Sequence, residues 1–312
     1  MRKWLRIILP ALLFVCILVY VIIPGKINIS NTSLLPVPKS ALYRAMIDEN
    51  SWKGWWPAVN ADTTGTGLVY NQSVYAVSKK TITSLFVDIV SNESIAKSSL
   101  TFIPFKPDST KLQWDATVIT SANPLKRIQA YLYASSLKKD LSVLLEKISS
   151  HYQKLENVYD VPIRKELVVD SLLVFISENS PAYPNTEHIY RLINVLKKYI
   201  ADKSAKETGY PMLNITTKDS TDWLIKVAIP VDRILEPSGN ITYRKMLGRG
   251  NILVGEVTGG PHSINNAFKQ LENYISDYER IAPAIPFQSL VTDRMAETDT
   301  SKWITRIYYP VM

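Results

Sequence analysis

VPIRKELVVDSLLVFISENSP, residues 161–181, and ITYRKMLGRGNILVGEVTGGP, residues 241–261, repeat each other at an offset of 80. Arg164 matches Arg244, Lys165 matches Lys245, Val174 matches Val254 and Pro181 matches Pro261. The ends of the two copies agree as well. DWLIKVAIPV aligns with KWITRIYYPV, which sets Trp223 against Trp303 and Pro230 against Pro310. The middle slips to an offset of 75, with Leu196, Tyr199 and Ile200 opposite Leu271, Tyr274 and Ile275. Such self-similarity marks a duplicated structural unit. Each copy reads β-α-β-β, with helices over Thr186–Tyr199 and Ile264–Tyr278 and Ser263 as a candidate cap. Neither copy buries both sheet faces alone, so the pattern predicts two halves about a pseudo-twofold axis with a cleft between them.

Strand alternation assigns the faces of the last strand in each copy. Trp303, Thr305, Ile307 and Tyr309 share one side, and Ile304, Arg306 and Tyr308 the other. In the first copy Trp223, Ile225, Val227 and Ile229 oppose Leu224, Lys226 and Ala228. The tryptophan-bearing sides suit packing on helices. Arg306, Tyr308 and Lys226 are thereby expected at the cleft. Arg306 either receives an anionic ligand, pairs with Glu256, or lies in solvent.

These second-half segments resemble the GyrI-like, or AraC effector-binding, family over residues 157–312. The resemblance is carried by EVTGGPHSINNAFKQLENYI, PFQSLVTD and KWITRIYYPV, and more weakly by HIYRLINVLKKYI, GYPMLNITTKD and DWLIKVAIPV. It implies a cleft that binds small molecules, often aromatic or cationic; some members are transcriptional effector domains, some bind proteins and some are hydrolases. The family's glutamate four residues before the last proline is Arg306 here, and a tyrosine before its VTD-like segment is Leu290. Arginine cannot serve as a general base at ordinary pH. Both departures count against cation binding and hydrolysis.

Upstream, residues 27–156 read as strand, helix, several antiparallel strands and a long closing helix. TITSLFVDIV, SLTFIPF and KLQWDATVIT carry the β-branched and aromatic runs. Turns are expected at Asn92–Ser94 and Pro107–Ser109, and Leu137, Leu141, Leu144, Leu145, Ile148, Tyr152 and Leu155 form one helical stripe. PVPKSALYRAMIDENSWKGWWP, QWDATV, NPLKR and LKKDLSVLLEKISSHYQKLE in this order resemble the START-like, or SRPBCC, helix-grip superfamily. That resemblance implies an apolar ligand held between sheet and helix. Trp56 and Trp114 are candidate wall residues of such a cavity, or simply core.

The first 26 residues differ in kind. Ile7–Ile23 is a run of 17 uncharged residues preceded by Arg2, Lys3 and Arg6 and followed closely only by Lys26. At about 1.5 Å per residue it spans roughly 25 Å, the short end of a membrane helix. The expectation is a single-pass anchor over residues 4–23, in the inner membrane, with the body in the periplasm or otherwise outside the cytoplasm. A cleaved signal peptide is the rival, but no Ala-x-Ala site follows the run.

Composition narrows the chemistry. One cysteine excludes an internal disulfide framework, and three histidines leave little for zinc. No phosphate loop, nucleophile elbow or Cys/His metal pattern occurs, so no catalytic residue, metal or cofactor is expected. The net charge of +8 is spread in short pairs, no helix-turn-helix precedes the repeat, and no nucleic-acid partner is expected. The sequence therefore points to an α+β, membrane-anchored protein with a helix-grip domain and a duplicated domain, binding an apolar, aromatic or anionic molecule through Arg306, Tyr308, Lys226, Glu256, Trp56 and Trp114. A hydrolase or cyclase, and an envelope structural or protein-interaction module, are the alternatives.

Overall fold

A computed structural model describes residues 14, 16–57, 67–91, 94–169, 171–217, 222–246 and 248–312. The chain divides into two compact units, Met1–Val158 and Tyr159–Met312. Most of the expected membrane segment lies outside the described residues. Residues 16–22 are helical, and among the described residues no helix is long and apolar enough to cross a membrane.

The first unit is one antiparallel sheet of six strands: β1 (Lys26–Leu35), β2 (Leu68–Tyr70), β3 (Ser73–Lys80), β4 (Ser84–Ser91), β5 (Ile95–Lys106) and β6 (Ser109–Ile119). Their order is β1-β6-β5-β4-β3-β2, so the first strand closes beside the last. Helix α1 (Lys39–Met46) follows β1, and α2 (Pro124–Tyr152) follows β6. Asn123 caps α2 by accepting from the amides of Leu125 and Lys126, and Pro124 occupies the first helical position, where a missing amide proton costs nothing. The stripe from Leu137 to Tyr152 is buried and α2 packs over β1 and β6. The expected turn at Pro107–Asp108 joins β5 to β6; Asn92 and Glu93 of the other turn lie outside the described residues.

The second unit is an antiparallel sheet of eight strands with two helices. Its strands are β7 (Ile163–Leu167), β8 (Ser171–Ser180), β9 (Met212–Thr217), β10 (Trp223–Val231), β11 (Thr242–Met246), β12 (Asn251–Thr258), β13 (Phe287–Leu290) and β14 (Ile304–Val311). The helices are α3 (Thr186–Asp202) and α4 (Pro261–Asp277). The order β11-β8-β10-β9-β13-β14-β12-β7 reads as the same half, forwards and then reversed. The halves meet where β9 pairs with β13.

Three details correct the sequence reading. Each half is β-β-α-β-β, and the extra first strands are exchanged: β7 pairs with β12 of the second half and β11 with β8 of the first. Pattern alone cannot reveal this, because an edge strand fits either partner. Second, Val174 pairs with Ile229, whereas Tyr309 pairs with Leu253. The structural counterpart of Val174 is therefore Leu253, not Val254, which faces the other way. Third, α4 is capped at Gly260 with no side-chain cap, and Ser263 lies inside the helix.

The expected helix-facing sides hold. Ile225, Val227 and Ile229 are buried in one cluster with Ile189, Leu192, Ile193 and Leu196 of α3. In the second half, α4 packs on β12 and β14, burying Leu271, Thr305 and Ile307. Gly255 lets α4 approach β12: a Cβ there would stand 2.8 Å from a methyl of Leu271.

Candidate functional site

The sheet face turned away from α3 and α4 encloses a cavity of about 570 Å³ built by strands of both halves. Residues that alternate with the helix-facing ones line it. Leu173 and Phe175 come from β8, Met212 from β9, Ile252 from β12, Phe287 from β13 and Pro310 from β14. The wall is mostly apolar and this size suits a small organic molecule. Phe287 is held flat against Tyr308, with ring centroids 4.9 Å apart and an interplanar angle of 12°. The Arg244 guanidinium lies 4.8 Å over the Phe175 ring.

Lys226 enters this wall from β10 and is half-buried. Its neighbours across the strands are Ser177 on β8 and Asn214 on β9. Asn214 donates through Nδ2 to the Pro286 carbonyl at 2.8 Å, which fixes its amide orientation and anchors the approach to β13. Its Oδ1 is buried and has no hydrogen-bond partner among the described residues. Among the described residues no acid is ion-paired with Lys226, Arg244 or Lys245, all of which line the cavity.

Arg306 occupies the same repeat position as Lys226, yet its surroundings differ. Glu256 stands opposite it on β12, where the first half has Ser177. Arg306 Nε donates to Glu256 Oε2 at 2.7 Å. That hydrogen bond, more than any other influence, holds the guanidinium pKa above its ordinary value. Neither Arg306 nor Glu256 lines the cavity, and Tyr308 stands behind Phe287. The structure thus sets Lys226 in the cavity wall and pairs Arg306 internally.

The two tryptophans expected at a ligand lie in the first unit. Trp114 is fully buried in β6, and its indole donates to Ser98 Oγ at 3.1 Å. Trp56 is also buried, donates to the Val69 carbonyl at 2.8 Å and packs on Trp52, Trp55 and Tyr75. It borders a cavity of about 400 Å³ that includes Lys147, His151 and Lys154. Burial, then Lys154, lowers the His151 pKa. A part-buried polar pair ties the β2–β3 turn to α2: Asn71 Nδ2 donates to Asp140 Oδ1 at 2.9 Å. Among the described residues no group of three or more His, Cys, Asp or Glu side chains is placed to hold a metal.

Sequence reasoning missed Phe175, Arg244, Asn214 and Phe287. Phe175 was recoverable, since it alternates with the core residues Val174 and Ile176. Arg244 was not, because it reaches the site only through strand exchange.

No protein-family model matches the chain, and no curated protein does. Several solved structures are similar to part of the chain. The C-terminal domain of EcmrR is 15% identical, covers 49% of this chain and 98% of its own, and superposes with a TM-score of 0.43. A hydrolase from Listeria innocua is 9% identical over 48% of this chain and 91% of its own, with a TM-score of 0.38. SAV2435, solved with tetraphenylphosphonium, is 16% identical over 48% of this chain and 93% of its own, with a TM-score of 0.31.

Proposed function

We propose that the second unit is a GyrI-like module that binds a small amphipathic molecule, with its apolar or aromatic body against Phe175, Met212, Ile252 and Phe287 and an anionic group at Lys226. The observation that carries this reading is a half-buried lysine, without an acid partner among the described residues, in a mostly apolar wall. A cation so placed favours an anionic guest and disfavours a cationic one. The first unit is read as a START-like helix-grip domain. Residues 4–23 are read as the anchor that holds the protein in the inner membrane, with the body outside the cytoplasm. Together these make the protein a membrane-anchored small-molecule carrier or sensor.

Calorimetric titration of the purified full chain with decanoate and decyltrimethylammonium tests the charge preference. Decanoate should bind more tightly, and Lys226→Glu should weaken it by roughly tenfold, a loss of about 1.4 kcal/mol. Equal affinity for both probes, unchanged by Lys226→Glu, would reject the assignment. Protease treatment of intact spheroplasts tests the topology, since a body outside the cytoplasm is digested and one inside is protected.

A further inference from the structure

The mouth of the second-unit cavity carries apolar side chains that the core does not use. Val168, Ile285 and Met312 line it. Around them Leu167 is 65% exposed, Val169 76%, Ile281 68% and Met312 68%. Backbone hydrogen bonds fix two parts of this surface, Val168 with Arg249 and Gly250, and Ile281 with Met312. The Val168 amide donates to the Gly250 carbonyl at 2.8 Å, the Arg249 amide to the Val168 carbonyl at 3.0 Å, and the Met312 amide to the Ile281 carbonyl at 2.9 Å. Both pairings border the same cavity, which Val168, Gly250, Ile285 and Met312 line, so these exposed residues belong to one rim and are not scattered singly.

The same rim is basic. Arg244, Lys245, Arg249 and Arg280 are all exposed on it or immediately beside its apolar residues. Among the described residues none of the four is in an ion pair. Glu166 is close in sequence but faces Arg164 at 3.5 Å, and near Arg280 the described acids are Glu279 and Asp277, which accepts from the Tyr159 hydroxyl. Apolar side chains interspersed with unpaired cations match the two layers of an anionic bilayer surface, acyl chains below and phosphates above. The cavity behind the rim continues the apolar surface inward.

We propose that this rim docks on an anionic lipid bilayer and that the cavity takes an acyl-chain amphiphile directly from it. The proposal rests on the reading of the cavity as a ligand site and names both the surface that supplies the ligand and its class. Docking shields the apolar rim while the cavity mouth is open to lipid, so the chain need not cross water.

The test uses the full chain with Cys16→Ser and one introduced cysteine carrying an environment-sensitive nitrobenzoxadiazole label. One label site is Val169→Cys on the rim. The other is Lys198→Cys on α3, on the opposite sheet face. The protein is reconstituted in vesicles of phosphatidylcholine, with or without phosphatidylglycerol. The label at 169 should shift to the blue and be quenched by brominated lipid only when phosphatidylglycerol is present, and the label at 198 should do neither. Arg244→Glu with Arg249→Glu should abolish the response at 169. An exposed label at 169, equal responses at both sites, or a response without anionic lipid would overturn the proposal. Shielding at 169 that depends on protein concentration instead of lipid would also overturn it and indicate a second copy. A separate titration of amphipol-held protein with cis-parinarate reports the cavity alone. Parinarate binding with an exposed rim defeats docking but keeps the ligand site; a docked rim without parinarate binding defeats the ligand site.

Discussion

Arg306 on β14 and Glu256 on β12 neutralise each other across 2.7 Å, while Lys226, the repeat counterpart of Arg306, faces Ser177. The duplication thus placed a cation at both equivalent points and an acid beside only one. Arg306 and Glu256 are 38% and 39% exposed, so solvent screening keeps their pair to about 0.5 kcal/mol. Arg306→Glu sets two like charges opposite each other and should lower stability by about 1 kcal/mol. The exchange Arg306→Glu with Glu256→Arg should recover most of it, as urea denaturation would show. The charge preference of the cavity should follow Lys226 and be unmoved by either change.

A second prediction concerns Asn71 and Asp140. Asn71 has φ 44° and Gln72 φ 67°, a left-handed pair that turns β2 into β3. That turn aims the Asn71 amide at Asp140, which is 8% exposed on α2. Burial raises the Asp140 pKa, and the Asn71 hydrogen bond opposes the rise. The folded chain therefore holds this proton to higher pH than the unfolded chain. The resulting stability is full below the ordinary carboxylate pKa of about 4 and is lost as pH rises through the raised value. Asp140→Asn should flatten that part of the stability-against-pH curve. Asn71→Gly keeps the left-handed turn but removes the donor; it should cost about 1 kcal/mol at neutral pH and steepen the same slope.

The legible part of this molecule is what periodicity encodes. The stripe on α2 and the helix-facing sides of β10 and β14 follow from spacings of two, three and four residues, and the doubling of the second unit from self-similarity at an offset near 80. The illegible part depends on choices between equivalent partners. The strands β7 and β11 carry no signal saying which half they join, and that exchange brings Arg244 onto Phe175. The pairing of Val174 with Ile229 and of Leu253 with Tyr309 also shifts the repeat by one residue, which no alignment at constant offset would detect. At the site, alternation placed Lys226 and Arg306 on one sheet face but could not tell that only Lys226 reaches the cavity.

Gly255 supplies a third prediction. A Cβ at this position would lie 2.8 Å from Leu271 Cδ1 and 3.1 Å from Val161 Cγ1. Leu271 can turn its methyls, whereas Val161 is branched at Cβ and stiff. Gly255→Ala should destabilise the second unit by about 1–3 kcal/mol through overpacking. Leu271→Ala alone removes buried methyl groups and should cost about 2–5 kcal/mol. Combined, the two should cost less than their sum, because the smaller residue 271 makes room for the new methyl. Additive losses in chemical denaturation would show that α4 does not set the requirement for glycine.

The exchanged strands make the last prediction. A cut between Leu235 and Glu236 leaves β7–β10 with α3 on one fragment and β11–β14 with α4 on the other. Each fragment then carries the outer strand of its partner's half: β8 loses β11, β12 loses β7, and the β9–β13 seam opens. Unpaired edges at both sides of a three-stranded core, together with one face of apolar cavity wall, leave too little of the sheet satisfied for a stable monomer. Residues 159–235 and 236–312 expressed separately should therefore be unfolded, or should fold only as dimers in which a second copy supplies the missing strand by the same exchange. Expressed together they should associate and recover the circular dichroism and cooperative unfolding of the intact unit. Sedimentation equilibrium distinguishes these outcomes. A fragment that is both folded and monomeric would mean that β7 or β11 can return to its own half, and that the exchange is not what holds the two halves in one sheet.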